Sequence, residues 1–412
     1  MSFRTTLPLL GFFVGLTAFA CSTETTQTPA NSSGGPNGTP ATCTSNDECT
    51  AGTEICDTTA GKCVAAPTGT EIGTGDGSPA SVTFVEIYDG ATKAQQLVDL
   101  AFAEKDPTQL WVIAYGDSTV HVGTGVTADS KGTWKEWYDP AAGHFMYKPP
   151  AFAMGVDGYW GICGDNDNSQ NDPRNEPNFF MGPAMFTSDL TVFTTQNDET
   201  GLGSHYDMLH NTTFCRGIAH QEANIFWVFN GQLGSIEKYD FNEPHEPGGD
   251  DHSDGEIYRY VEGEVKGVDG VSSHVFYDAS DKMLYIADTG NKRIAKLDTT
   301  SGTAGGRLPL RNEPLKKSAV MNGATIEDVV PAGTLEQPSG LEVRNGLIYV
   351  TDTATSTFYV FDKTGKELRR LETGLSKGSL SGFTFGPDGK IYFTNRNAGK
   401  VVRIDPEPLP AE

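Results

Sequence analysis

The sequence predicts an all-β chain folded as a six-bladed β-propeller, and three observations carry that prediction. First, four segments (226–240, 284–298, 348–362 and 391–405) share one frame. Each begins with a large apolar residue (Phe226, Leu284, Ile348, Ile391), continues with an aromatic one (Trp227, Tyr285, Tyr349, Tyr392), and ends fourteen positions after its start on an aspartate (Asp240, Asp298, Asp362, Asp405). Within each frame two alternating stretches flank a polar turn, the signature of a hairpin. Second, another short apolar strand precedes each frame, around Ile218, Phe276, Leu341 and Phe383. Third, two weaker copies lie upstream, 97–122 around Trp111 and 149–163 around Trp160, which brings the count to six. A meander with one apolar face cannot bury it alone. Six of them around an axis cover one another's faces and protect their edges. A β-sandwich is the competing arrangement, and a fixed frame length disfavours it.

The chain opens with an address. Arg4 supplies a positive charge, an apolar run fills residues 7–20, and Ala18, Phe19 and Ala20 precede Cys21. The run is too short to span a bilayer, so residues 1–20 read as a cleaved export signal. A cysteine at that place resembles the lipobox of bacterial lipoproteins, although Ala18 and Phe19 stand where that family has Leu and a small residue. The resemblance implies a lipid on Cys21 and, with Ser22 next, transfer to an outer membrane or cell surface. Without the lipid the protein would be periplasmic or secreted. The seven cysteines agree with this, because acylating one leaves six that can pair in an oxidising compartment.

Residues 21–42 are polar, rich in Thr, Ser, Gly and Pro, and read as a disordered tether. Cys43, Cys49, Cys56 and Cys63 follow at gaps longer than the two to four residues usual between zinc ligands. A disulfide module over 43–64 is expected, with three connectivities open. It resembles short Cys-rich modules of predatory-bacterial lipoproteins, which implies spacing or protease resistance. Residues 65–84 read as a linker and 85–408 as the propeller. Cys163 and Cys215 fall in adjacent units, which places a third disulfide between them.

Lys plus Arg total 30 against 54 Asp plus Glu, a net charge of −24. That excludes nucleic acid as a partner and a charge-driven seat on anionic lipid. Membrane contact is expected only through the N-terminal lipid. The expected partner is a small molecule, a peptide or a protein, and the chain is expected to be a monomer.

Pro338, Ser339 and Gly340, with the run Asp288, Thr289, Gly290, Asn291, Lys292, Arg293 and Ile294, resemble NHL repeats. The resemblance is strong over 210–405 and faint over 85–200, and it implies a six-bladed propeller. Six of the eight histidines lie between 205 and 274: His205, His210, His220, His245, His252 and His274. His274 lies ten residues before Leu284, a spacing similar to that of the zinc-binding histidines of peptidylglycine amidating lyases, which are NHL-type propellers. The equivalent places hold Arg216, Ser339 and Ser381, so loops would have to lend the other ligands. The expected centre is His210, His252 and His274 in the channel, holding zinc or another transition metal. His205, His220 and His245 are expected to be structural or rim residues.

Calcium is a second candidate ion, in the acidic turn Asp165, Asn166, Asp167, Asn168, Ser169; the turn Asp250, Asp251, His252, Ser253, Asp254, Gly255 imitates the opening of a calcium loop but has His at its third position. With Val261 instead of Glu at its twelfth position, that turn is not an EF-hand. Pro338–Leu341 is also similar to gluconolactonase-like propellers, but Ser339 replaces the asparagine that family uses for metal. No nucleophile elbow or phosphate-binding glycine loop occurs. Two functions follow as expectations. One is an anchored propeller that binds a ligand on its channel face, with a histidine-held metal. The other is a metal-dependent lyase or hydrolase, with Arg216 steadying negative charge and Asp251 or Asp254 as base.

Overall fold

The computed structural model describes residues 43–44, 48–49, 54–57, 60–65, 68–167, 180–310 and 313–406. They fall into two compact units, 1–66 and 67–412. In the first, strands Glu54–Asp57 and Lys62–Ala65 form an antiparallel hairpin. Cys49 is bonded to Cys63, and Cys43 is disulfide-bonded as well. A segment this short cannot assemble an apolar core, and covalent cross-links take its place. The export signal, Cys21, the tether and the Cys56 side chain lie outside the described residues.

In the second unit the alternating frames become hairpins at the centre of six sheets, five of them four-stranded and antiparallel and one six-stranded with a single parallel pair. Blade one comprises Leu97–Phe102, Leu110–Ala114, Val120–Thr127 and Ser130–Trp137. Blade two comprises Phe152–Met154, Tyr159–Ile162, Ala184–Thr187 and Asp207–Met208. Blade three comprises Cys215–Glu222, Ile225–Asn230, Ser235–Asp240 and Glu256–Tyr260, widened by Lys317–Asn322 and Thr303–Ala304. Blade four comprises Val275–Asp278, Met283–Asp288, Arg293–Asp298 and Ile326–Val330, and blade five Pro338–Arg344, Leu347–Asp352, Thr357–Asp362 and Glu367–Glu372. Blade six takes three strands from the C-terminal end, Leu380–Phe385, Ile391–Asn395 and Lys400–Pro406, and its fourth, Val82–Tyr88, from the beginning of the unit. Each innermost strand packs against the next, and that of blade six against that of blade one.

The fixed frame length has a local cause. Its terminal aspartate accepts the backbone N–H two residues on, Asn242 to Asp240, Thr300 to Asp298 and Thr364 to Asp362, which sets the turn that leaves each hairpin. Asp405 instead takes the Arg403 guanidinium. The core is six apolar seams between neighbouring sheets. Trp111, Trp160 and Phe186 belong to the seam between blades one and two. Ile218, Phe226 and Met185 belong to the next.

Residues 68–81 correct the expected linker. A 3-10 turn at Thr70–Ile72 buries Ile72 in the seam of blades five and six. The Tyr349 hydroxyl donates to Glu71 at 2.7 Å, and Arg369 donates to the carbonyls of Thr68 and Gly73. One isolated isoleucine in a Gly- and Thr-rich stretch carries no periodicity, so sequence alone reads it as a spacer. Cys163, directly after the second strand of blade two, is bonded to Cys215 at the head of blade three.

The Cys163–Cys215 bond closes a loop with a sequence separation of 52. Replacing both cysteines by alanine is expected to lower unfolding stability by about 2–4 kcal/mol. Denaturant titration should show this against the unreduced parent.

Candidate metal centre and channel cavity

Two cavities carry most of the chemistry-bearing side chains, and they share no lining residue. The first, about 270 Å³, lies at the rim of blades two and three. Its walls include His144, Phe180, His205, His210, His252 and Glu313, and no innermost strand contributes to it. His144 comes from the short helix Ala142–Phe145 that follows blade one. His205 is held by its neighbours: Ser204 donates from both its backbone N–H and its hydroxyl to Asp139, and the His205 ring stacks on Phe145 at 3.7 Å. Gly203, at φ 67°, lets the chain pass Asp139, because a Cβ there would fall 2.2 Å from its carboxylate.

His210 is positioned from blade three. Asn211 and Thr212, next to it, donate to the fully buried Glu237 carboxylate at 2.7 and 2.8 Å, which also pairs with Arg259 at 2.8 Å. Phe180 stacks on the His210 ring, 4.2 Å between centroids. His245 and His252 belong to the excursion between the third and fourth strands of blade three. That excursion folds back over blade two, with His245 N–H donating to the Tyr206 carbonyl and Gly248 N–H to that of His205. Glu313 arrives from the segment between Thr303–Ala304 and Lys317–Asn322.

The histidine tautomers are set by what Nδ1 meets. In His205 it lies 2.9 Å from the Leu202 carbonyl, and in His245 it lies 2.6 Å from that of Glu246. In His252 it faces Glu313 Oε1 at 3.4 Å. Neutral rings donating from Nδ1 keep a lone pair on Nε2, which is how backbone carbonyls and carboxylates orient metal-binding histidines. Glu313 Oε2 also lies 2.5 Å from His210 Nδ1. Two sets of ligand atoms result, each within 4.8 Å of one another: His205, His245 and His252, and His210, His252 and Glu313. Among the described residues twelve buried side-chain polar atoms have no hydrogen-bond partner, and six sit at this place. They are Nε2 of His210, His245 and His252, both carboxylate oxygens of Asp207, and Oε1 of Glu313. Buried polar atoms are rarely left unpaired, so this concentration asks for a missing partner.

Burial lowers the pKa of His144 to about 4 and of His205 to about 3, and lowers that of His245. Burial opposes charge on His252 too, but Glu313 beside it outweighs that and raises its pKa. Asp207 is pushed up to about 8 by burial. Neutral His205 and His245, with His252 giving up its proton on coordination and a carboxylate at hand, form a donor set suited to Zn²⁺ or a related ion.

The second cavity, about 240 Å³, is the channel itself, lined by residues of all six innermost strands, among them Asp99, Phe152, His220, His274, Glu342 and Phe383. His274 is here, and it joins neither histidine group. The expected His210–His252–His274 centre is therefore corrected. His210 and His252 meet at the rim, because the Glu237 bonds and the fold-back of 241–255 draw their loops away from the axis. His220 is tied to the Ala223 carbonyl.

The three expected catalytic groups lie apart. Arg216 is ion-paired with Asp165 and Asp269, at 2.5 and 2.8 Å, beside a third cavity that includes Tyr115. Asp251 is exposed and accepts the Ser253 N–H, while Asp254 accepts that of Glu243. For the expected calcium turn, Asp165 has the Arg216 cation and the Tyr115 hydroxyl as partners, and Asn168 and Ser169 lie outside the described residues. The close set Cys43, Cys49 and Cys63 is disulfide-bonded. The density of histidines between 205 and 252 marked the rim in the sequence, but nothing there singled out His205 and His245 over the others. Glu313, with its sequence neighbours, gave no signal. No helix among the described residues is long and apolar enough to cross a membrane.

No protein-family model matches the chain, and a search of the curated proteins finds no sequence relative. Solved structures do share its architecture. An auxiliary nutrient binding protein from Bacteroides ovatus is 12% identical, with a TM-score of 0.50 over 76% of this chain and 70% of that one. A virginiamycin B lyase from Staphylococcus aureus is 12% identical, with a TM-score of 0.46 over 79% and 98%. A gluconolactonase from Xanthomonas campestris is 13% identical, with a TM-score of 0.42 over 79% and 89%. At such identities a likeness concerns the fold alone.

Proposed function

We propose that this chain is an exported, lipid-anchored ligand-binding propeller with a transition-metal ion, zinc first, held at the rim by His205, His245 and His252. The observation that carries this reading is the set of three imidazoles whose Nδ1 atoms face carbonyls or a carboxylate and whose ligand atoms lie within 4.8 Å of each other. Three protein ligands leave a fourth position for a ligand atom. That position is served by the pocket beside His144, Phe180 and His210, whose stacked rings suit a flat or apolar ligand body. Glu313 orients His210 and His252, so its role is positioning. NHL-like repeat geometry, an outer-membrane or surface location and a monomeric state complete the proposal.

A metal-dependent lyase or hydrolase is the second reading, favoured by the same observation, since three ligands and an open position also characterise catalytic zinc sites. A bound ion would polarise a substrate oxygen there. Arg216, Asp251 and Asp254 do not line this pocket, whereas Asp250 and Glu313 do, so these two are the carboxylates within reach of a bound substrate.

Elemental analysis of purified, zinc-reconstituted protein is expected to give about one transition-metal ion per chain. His252→Ala, which removes a member of both ligand sets, should abolish it, and His274→Ala should leave it intact. Sub-stoichiometric metal in the parent, or equal loss in the two variants, overturns the rim assignment. Chelation should weaken ligand binding under the first reading and stop turnover under the second. Separately, Cys21→Ala is expected to move the protein from the membrane fraction to the soluble fraction, and fractionation with mass measurement of the mature N-terminus checks it.

A further inference from the structure

We propose that the channel cavity is a second binding site, separate from the rim centre, for a compact organic cation such as a primary ammonium. Asp99 of blade one and His274, at the head of blade four, face each other across the axis, with Asp99 Oδ1 3.8 Å from His274 Nδ1. Asp99 accepts the backbone N–H groups of Leu100 and Phe152 at 2.9 and 3.0 Å. Glu342 of blade five lines the same space. Neither carboxylate is salt-bridged to a lysine or arginine among the described residues, although the molecule devotes many such pairs to its surface. His274 is only 7% exposed, and its Nε2 has no hydrogen-bond partner. The cavity therefore holds two carboxylates without an ion-pair partner, Glu342 being eased only by Arg344 nearby and by hydrogen bonds from Thr384 and the Phe385 backbone, and a buried imidazole with an unused ring nitrogen.

The space between them is maintained. Gly382 of blade six passes where a Cβ would fall 2.4 Å from Asp99 Oδ1 and 2.8 Å from His274 Cε1. Any side chain at 382 would fill the gap. The occupant is not a bare metal ion, because Asp99, His274 and Glu342 form no chelating group among the described residues. Asp99 and His274 alone are close enough to share one ion, and two protein ligands fall short of the three or four that hold a zinc-type metal. An ammonium or amidinium suits such a set, since it offers several N–H donors on a carbon body. Phe152, Ile218, Leu341 and Phe383 give that body an apolar wall.

Burial holds His274 neutral, with a pKa lowered to about 4, and raises Asp99 well above the usual carboxylate range and Glu342 to about 7. Cation uptake therefore draws protons off the two carboxylates. A raised carboxyl is protonated below its pKa, so affinity should rise as pH climbs through about 7. The groups facing these carboxylates are His274 and His220, with Tyr277 at the wall and Arg344 near Glu342. None of them titrates in the opposite sense over that window while the added amine stays charged.

The test is calorimetric titration of the full-length, zinc-reconstituted protein with benzylammonium and with butane-1,4-diammonium, against benzyl alcohol as neutral isostere, at pH 6 and pH 8. Saturable binding of an ammonium probe is expected, tighter at pH 8, with none of the alcohol. Asp99→Asn should weaken it about tenfold or more, the scale of a lost charge-assisted hydrogen bond. His252→Ala should leave it unchanged, which separates this site from the rim metal. If Asp99→Asn does not fold, Glu342→Gln takes its place with the same criterion. Absence of saturable ammonium binding at both pH values, equal binding of the alcohol, or unaltered affinity in the carboxamide variant overturns the proposal.

Discussion

The structure depends on one antiparallel ladder, Val82–Tyr88 against Lys400–Pro406, in which Val82 lies opposite Pro406 and Phe84 opposite Ile404. Blades one, two and five are built from consecutive strands, the last connection of blade four lends two strands to blade three, and blade six is incomplete without the strand from the other end. A ring of sheets has no free apolar face only when the last seam closes. Here that seam holds Ile87, Leu100, Val126, Tyr392 and Val401. Opening the ladder would bare both an edge of blade six and the seam between blades six and one, the kind of unpaired edge that soluble β-proteins avoid. The strap over residues 68–81 reinforces the same region by adding Ile72 to the neighbouring seam.

Desolvation then gives the two cavities opposite character. At the rim it keeps His144, His205 and His245 neutral, against Glu313's pull on His252, and leaves Nε2 of His210, His245 and His252 without a partner, which would favour a soft or borderline cation bound through nitrogen. In the channel it raises carboxylates that no lysine or arginine ion-pairs, which would favour a larger cation offering hydrogen-bond donors. The Arg216 network shows the contrast. Asp165 is also buried and its pKa is also raised by that burial, but Arg216 works against the shift from beside it. A protein with a large excess of negative charge has spent a cation there and none on Asp99.

Blade three links fold to site. The fully buried Glu237 takes Arg259 from the outer strand and Asn211 and Thr212 from the segment that precedes the inner strand. One carboxylate thus fixes the outer edge of a sheet and the place of His210. The disulfide from Cys163 to Cys215 encloses the segment bearing His205, Asp207 and His210, so the rim loops are tied at both ends by strong bonds although they carry little regular structure.

Much of this was legible in the residues themselves. The hairpin frames and the number of blades follow from local alternation and turn-capping aspartates, which act over a few residues along the chain, and the Cys163–Cys215 pairing follows from the order of the repeats, which sets those two units side by side. The closing strand was not legible, because 82–88 resembles any short alternating strand and its partner lies more than three hundred positions away. The seat of Ile72 was hidden for the same reason. The histidine cluster announced itself as a density of imidazoles, but which of them meet depended on an excursion folding back over a neighbouring blade and on Glu313 arriving from another. Those are long-range contacts fixed by backbone pairing between loops, and they leave no period in the sequence. The sequence by itself determined the repeating hairpin and hence the ring. The tertiary structure alone decided which distant side chains share a desolvated space, because burial is a property of what surrounds a residue and not of its neighbours along the chain.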